Sequence, residues 1–184
     1  ELRHAPRCSE QRVRADEAVR VTVDFQNTII DTTAKPRPGE TISADLQLAV
    51  AVEEPHSHYQ LHAVQTRAEA VSGGWSLNGR KSVVVGGQSP GLILVSARSS
   101  GDVRDEAGIS LFLVDPSTPG VSVREYPTMD GRRACDLFLD NVFVSSAAVL
   151  GEQGKALDAL RYQQGRAIAA QCAEAVGSLQ ATCA

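Results

Sequence analysis

Three histidines are the residues of this 184-residue chain whose types and spacing most resemble a chemical site. His56, His58 and His62 follow the pattern H-x-H-x3-H, and neutral imidazoles are common zinc ligands. No acidic or thiol ligand cluster accompanies them, however. We therefore expect these side chains to face phosphate or solvent, and the sequence predicts no metal site.

Cysteine usage agrees with that interpretation. The four cysteines are far apart and show no CxxC spacing: Cys8, Cys135, Cys172 and Cys183. A zinc site or a disulfide framework needs closer or better matched spacing, so free thiols in a reducing compartment are the simpler prediction.

Charge and hydropathy exclude several function classes. The net charge is −4, and basic residues are scattered rather than clustered on one face, so we expect no nucleic-acid partner. Arg132 and Arg133 follow Asp130-Gly131 and indicate a solvated turn rather than a phosphate site. No apolar run approaches the roughly 20 residues of a membrane span. We expect a cytoplasmic protein.

The elements that must position any site are mostly short strands. Apolar runs alternate with polar or small residues from Leu46 to Leu150, and Gly- and Pro-containing turns separate them, which indicates an antiparallel sheet forming a barrel or sandwich. The dipeptide Asn78-Gly79 lies between two such runs. It predicts a tight hairpin, because both residues tolerate positive φ.

The two ends of the chain differ from this pattern. Residues 1–20 are polar and predict a terminal arm, an alternating strand follows from Val19 to Phe25, and residues 35–39 predict a turn. After Gly151 the chain lacks proline and is rich in Ala, Gln and Leu. Apolar residues at helical spacing from Leu157 to Leu179 predict one long helix with an apolar face that needs a partner.

Several segments, in this order, resemble the acyl-CoA dehydrogenase family. They include Glu54-Pro55 after an apolar strand, GWSLNGRK at residues 74–81, GISLFLVD at residues 108–115, LFLDNVFV at residues 137–144 and LGEQG at residues 150–154. The resemblance runs from about Leu46 to about Leu179. It implies three parts: an unassigned stretch over 1–45, the family's middle β-domain over 46–150, and the first helix of a helical-bundle domain over 151–184.

Membership of that family implies FAD-dependent oxidation of the Cα–Cβ bond of an acyl-CoA thioester. A glutamate removes the α-proton while a hydride passes from Cβ to the flavin, and an electron-transfer flavoprotein or a similar acceptor takes up the electrons. The resemblance places flavin contacts at Val52, Glu53, Tyr59 and Val83 to Val85. It places acyl-CoA contacts at Tyr59 and Arg166, although an interdomain ion pair, for example with Glu174, is the alternative role of Arg166.

Several positions depart from the family pattern. Val83 stands where an aromatic residue stacks on the flavin, and Val85 stands where a hydroxyl residue bonds flavin N5, so the alternative is that Val83 to Val85 form an ordinary buried strand. Gly165 occupies a position where some members carry the catalytic glutamate. We therefore expect no catalytic residue in this chain and a base beyond residue 184.

These departures resemble a branch that includes the small subunit of pimeloyl-CoA-type dehydrogenases, which works beside a second, related chain. The sequence thus favours a homo- or hetero-oligomeric oxidoreductase acting on acyl-CoA. Two alternatives remain: a non-catalytic partner subunit or degenerate member with a structural role, and a generic β-sandwich binding module.

Overall fold

A computed structural model of the chain describes residues 21–23, 29–31, 48–87 and 91–183. The predicted arm over residues 1–20 and the predicted turn at residues 35–39 lie outside the described residues. Strand β1 (Val21–Val23) pairs with β2 (Ile29–Asp31) in antiparallel register. The predicted strand around Val21 is therefore confirmed for its three described residues.

The other described strands form one eight-stranded sheet with the order β10-β7-β6-β4-β5-β9-β8, and β3 pairs with β6. Their bounds are β3 (Leu48–Ala51), β4 (Arg67–Val71), β5 (Gly74–Val85), β6 (Leu92–Arg98), β7 (Ile109–Val114), β8 (Val121–Pro127), β9 (Arg133–Ser145) and β10 (Val149–Leu150). Most neighbours are antiparallel, whereas β3–β6 and β4–β6 are parallel. A mainly β fold followed by a C-terminal helix is confirmed.

The sheet curls until its distant strands meet. Trp75 on β5 and Phe112 on β7 pack edge to face with ring centroids 5.7 Å apart. Two strands lie between β5 and β7 in the sheet order, and a flat sheet would hold these residues roughly 14 Å apart at the usual strand spacing. Curvature therefore places both rings in one core, which also contains the fully buried Leu77, Leu137 and Val142.

The predicted hairpin at Asn78-Gly79 is wrong. β5 runs through both residues from Gly74 to Val85, and the turn that joins β4 to β5 is Ser72-Gly73, with Gly73 at a φ of 82°. Gly79 instead lies at a register shift between β5 and β9. A Cβ on Gly79 would come within 2.6 Å of Thr66 Oγ1 and 2.7 Å of Thr66 Cα, so glycine is required here for close packing.

Helix α1 (Ala156–Cys183) confirms the predicted long C-terminal helix. Its first turns bury Leu157 and Leu160 in a second core with Leu48, Leu94 and Ile109. The rest of the helix is largely exposed, including Ile168, Val176 and Leu179. In the described part of the chain, no helix is both long enough and apolar enough to cross a membrane.

A buried arginine fixes the loops beside α1. The side chain of Arg98, at the end of β6, is only 2% exposed. Its guanidinium donates hydrogen bonds to the carbonyl oxygens of His62, Val64, Ser100, Val103, Asp105 and Ala107. These carbonyls disperse the charge of a group that burial would otherwise penalise, and residues 62–64 and 100–107 are held against the same strand end.

The Gly79→Ala substitution should destabilise the domain. The added methyl meets the backbone and side chain of Thr66, so we expect a loss of about 1–3 kcal/mol in the free energy of unfolding, measured by urea denaturation. Gly177→Ala is the matched control. Nothing lies within 4 Å of its future Cβ, and alanine in place of glycine in a helix should be neutral or stabilise by up to about 1 kcal/mol. Equal effects of the two substitutions would contradict the packing role of Gly79.

Candidate functional site

An ion pair in the protein interior joins the loop after β3 to strand β5. Lys81 Nζ lies 2.7 Å from Glu54 Oε1, and the two side chains are 0% and 3% exposed. Lys81 also donates a hydrogen bond to Ser96 Oγ on β6 at 3.0 Å. Lys81 is on the same face of β5 as the buried Trp75 and Leu77. The pairing of strands thus forces a charge inward, and the carboxylate of Glu54 compensates for it.

Two backbone N–H groups complete the hydrogen bonding of the Glu54 carboxylate. Its carboxylate accepts the N–H of Gln65 at 2.7 Å and the N–H of Thr66 at 3.0 Å. Burial alone would raise the pKa of Glu54, but the positive charge of Lys81 and these donors together lower it below its ordinary value. Complete burial lowers the pKa of Lys81, and the charge of Glu54 opposes that effect. The short contact with Lys81 and the two backbone donors therefore favour the charged form of the Glu54 carboxylate.

The loop after β3 is held against the end of β5 by a second bond. The Glu53 carbonyl accepts the Ser82 N–H at 2.9 Å, and the Glu53 carboxylate accepts the Ser57 hydroxyl at 2.9 Å. Val52 packs against the second core. The structure therefore brings the predicted first-loop contacts Val52 and Glu53 beside the strand that carries Val83.

Tyr59 occupies an exposed and unusual position in that loop. Its φ is 65°, in the left-handed region, and its side chain is 84% exposed. His58 before it has a φ of 47°. Such conformations are uncommon for residues other than glycine, and tight turns and binding loops often contain them. The aromatic ring of Tyr59 is thus free to meet another molecule.

The end of β5 is not an ordinary buried strand. Val84 is 1% exposed, but Val83 is 54% exposed and has a φ of 53°. The pairing with β9 shifts register between Lys81 and Val84, and this bulge turns Val83 outward while Val84 fills the core. Val85 is half-buried. The interpretation of all three valines as buried therefore fails at Val83.

A polar network beside Val83 was not identified from the sequence. Tyr126 on β8 accepts the Val83 N–H at 3.1 Å through its hydroxyl oxygen and donates to Asp136 Oδ1 at 3.1 Å. Arg80 donates to Asp136 Oδ2 at 2.6 Å, and its guanidinium lies 5.0 Å from the ring centroid of Phe138. These residues come from three strands. Only the pairing of β5, β9 and β8 brings them together, and no local pattern could have shown it.

The remaining predicted contact, Arg166, lies on the exposed part of α1. Its guanidinium lies 5.9 Å from the ring centroid of Tyr162, one turn earlier. Among the described residues Arg166 forms no ion pair, so the alternative of a salt bridge with Glu174 is not supported. Contact between Arg166 and a ligand stays a prediction.

A small cavity opens between the loop after β3 and β5. It has a volume of about 290 Å³ and is lined by Glu54, Pro55, His56, Gln65, Thr66, Gly79 and Arg80. None of the predicted flavin contacts lines it.

Within the described residues no group of three or more His, Cys, Asp or Glu side chains is placed to hold a metal ion. The described cysteines Cys135, Cys172 and Cys183 are free thiols in the structure.

Comparison with known proteins identifies relatives of the β-domain. The family model described as acyl-CoA dehydrogenase, middle domain, matches residues 49–142. The chain is 30% identical over 159 residues to the mitochondrial 2-methylacyl-CoA dehydrogenase of Solanum tuberosum, covering 79% of this chain and 38% of that protein. It is 32% identical over 117 residues to the mitochondrial isovaleryl-CoA dehydrogenase of Oryza sativa subsp. japonica, covering 62% of this chain and 28% of that protein.

A solved structure shares the fold. The ChsE4-ChsE5 complex from Mycobacterium tuberculosis superposes with a TM-score of 0.62 at 22% identity, covering 66% of this chain and 32% of the matched chain. The chain spans less than two fifths of the length of the curated relatives it matches.

Lys81→Met should destabilise the domain strongly, because it leaves the Glu54 carboxylate buried without its cation. We expect a loss of about 3–5 kcal/mol in the free energy of unfolding. Adding Glu54→Gln should recover part of that loss, since no buried charge then remains. The control Lys155→Met removes an exposed pair with Glu152 and should cost at most about 1 kcal/mol. If Lys81→Met and Lys155→Met lowered the free energy of unfolding by similar amounts, burial of the Glu54–Lys81 pair would not be what makes it important.

The same pair predicts loss of stability in acid. The folded-state pKa of Glu54 is below its ordinary value of 4.5, so the unfolded chain takes up a proton first as the pH falls. The contribution of Glu54 is therefore present above about pH 4.5 and is lost as the pH falls through the folded-state pKa. Chemical denaturation from about pH 6 to about pH 3 should show a shallower decline for the Lys81→Met/Glu54→Gln variant than for the wild type. If the free energy of unfolding fell equally with pH in both proteins, the acid-induced loss would not come from Glu54.

Proposed function

Because the chain belongs to the acyl-CoA dehydrogenase family, we propose that it forms the flavin-facing β-domain of an enzyme that oxidises an acyl-CoA thioester to the 2-enoyl-CoA. The observation that carries this proposal is the position of Val83. It is exposed, strained and apolar, and it lies beside the loop after β3 because Ser82 donates its N–H to the Glu53 carbonyl. Strain that a buried framework maintains at an exposed residue is characteristic of ligand sites.

The residues present fit FAD as a packing surface. Val83 offers apolar contact to a flat ring system, and Glu53 and Val52 are held at the same strand end by backbone bonding and core packing. The side chains of Val83 and Val85 lack both an aromatic ring and a hydroxyl group, so their flavin contacts would be packing contacts. Val84 is buried beneath them and would support the site rather than touch the ring.

Within such a site the chain's own residues would bind and orient. The Glu54–Lys81 pair holds the loop that carries Tyr59 against β5, and the exposed Tyr59 and Arg166 would contact the acyl-CoA. Bound FAD would supply the hydride acceptor for the β-carbon. The catalytic base remains a prediction outside these residues, since Gly165 has no side chain that could remove a proton.

We further propose that the enzyme is oligomeric. Ile168, Val176 and Leu179 on α1 are each more than half exposed, which is a costly arrangement for a helix unless another surface covers them. The complex of two different chains in the matched mycobacterial structure supports a hetero-oligomer. An electron-transfer flavoprotein or a similar acceptor follows from the resemblance alone, and a cytoplasmic location follows from the sequence pattern alone. Both stay predictions.

A non-catalytic partner subunit is the second candidate. The observation that favours it is the replacement of the two expected polar or aromatic flavin contacts by Val83 and Val85. Such a subunit would use the same β-domain to support a catalytic neighbour. FAD binding separates the two functions.

We expect the purified chain, alone or with its co-expressed partner, to bind FAD and to show the flavin absorption bands. Val83→Asp should weaken FAD binding at least tenfold, because it places a charge where the ring packs. Aspartate tolerates the left-handed region better than valine, so the fold should not suffer. Val71→Asp is the control, since Val71 is also an exposed strand valine. Affinities are measured by quenching of flavin fluorescence.

Absence of FAD binding under every condition would rule out the enzyme function and favour the partner subunit. Equal affinities of the Val83→Asp and Val71→Asp variants would show that FAD binds elsewhere on the chain.

A further inference from the structure

The conformation of Val83 requires an external support. A β-branched residue rarely adopts a φ of 53°, because its side chain then crowds the backbone. Regular pairing with β9 is interrupted at this point by the register shift between Lys81 and Val84. The ladder that normally fixes a strand residue is therefore irregular where the strain is greatest, and another group must hold the backbone in place.

The hydroxyl of Tyr126 is that group. It accepts the N–H of Val83 at 3.1 Å. Tyr126 lies on β8, which pairs with β9 and not with β5, so its backbone is roughly 10 Å from β5 at normal strand spacing. Its side chain must reach over β9 to meet Val83. A shorter side chain could not make this contact.

Asp136 and Arg80 orient the tyrosine. Asp136 is only 8% exposed and accepts hydrogen bonds from Tyr126 at 3.1 Å and from Arg80 at 2.6 Å. Because the Tyr126 hydroxyl donates its single proton to Asp136, a lone pair of its oxygen is available to the Val83 N–H. Burial and the neighbouring Asp136 carboxylate raise the pKa of Tyr126, which keeps that proton in place at neutral pH.

A simpler explanation is that the Tyr126 hydroxyl is there only to donate a hydrogen bond to the buried Asp136 carboxylate. Arg80 already supplies a charged partner to that carboxylate, however, and cation–π contact with Phe138 steadies Arg80 itself. The bond to Val83 adds nothing to Asp136. It acts on the strained Val83 of β5, which is also one of the residues that the proposed flavin site uses.

We infer that Tyr126 is a positioning residue of the cofactor site, which holds the Val83 backbone outward through a hydroxyl oriented by Asp136 and Arg80. This inference rests on the proposed function. Tyr126, on the edge strand β8, would thus control the shape of the flavin-facing end of β5.

The test compares Tyr126→Phe with Tyr162→Phe, which removes a tyrosine hydroxyl on the exposed part of α1. Three quantities are measured in the full chain: the Kd for FAD, the shape of the bound-flavin absorption bands, and the hydrogen-exchange rate of the Val83 amide without FAD. For Tyr126→Phe we expect an FAD Kd about five- to tenfold higher. We also expect bands closer to those of free flavin and faster Val83 exchange. Tyr162→Phe should match the wild type.

Asp136→Asn provides a second route if Tyr126→Phe does not fold. It retains an oxygen that accepts from Tyr126 but loses the charge that holds Arg80, so we expect smaller changes in the same direction. If the wild type binds FAD while a folded Tyr126 or Asp136 variant keeps the wild-type Kd and absorption bands, that result would leave the proposed function standing and overturn the positioning role of Tyr126. Unchanged Val83 exchange would also overturn it. Failure of the wild type to bind FAD would instead remove the proposed function and this inference with it.

Discussion

The buried ion pair between Glu54 and Lys81 is the interaction on which the candidate site depends. An isolated lysine at that depth would be strongly disfavoured, and the carboxylate that compensates for it comes from the loop after β3. The loop therefore cannot move away from β5 without exposing one charge of the pair to an apolar interior. Gln65 and Thr66 bind the same carboxylate, so the start of the next segment is fixed at the same point.

This constraint explains how the protein can hold Val83 in a strained conformation. Lys81 is anchored inward two residues before Val83, and Val84 is buried immediately after it. The chain must accommodate both anchors within the bulge, and Val83 is turned to the surface between them. The strain is thus supported by the core on one side and by the Tyr126 hydroxyl on the other. The exposed end of β5 can therefore keep one conformation although Val83 is strained.

Helix α1 shows a different balance of forces. Its first turns are anchored by Leu157 and Leu160 in the second core, whereas the long exposed remainder gains stability only from its own backbone bonds and helix propensity. The apolar residues Ile168, Val176 and Leu179 beyond Arg166 are exposed, and the proposed oligomer would cover them. The predicted contact residue Arg166 lies on this exposed part of the helix and not on the sheet.

The sequence by itself determined the class of fold and the long C-terminal helix, because short apolar runs, turn residues and helical spacing are local signals. The family was indicated separately, by the resemblance of ordered segments such as residues 74–81 and 137–144. The alternation of residues along β5 also indicated that Lys81 points inward, because Lys81 lies on the same face of the strand as Trp75 and Leu77. Tertiary structure alone decided that Asn78-Gly79 continues a strand, because Thr66 packs against Gly79 from another part of the chain. It also decided that Val83 is exposed and that Tyr126 meets it. Those outcomes depend on strand register and sheet curvature, which bring together residues far apart in the sequence.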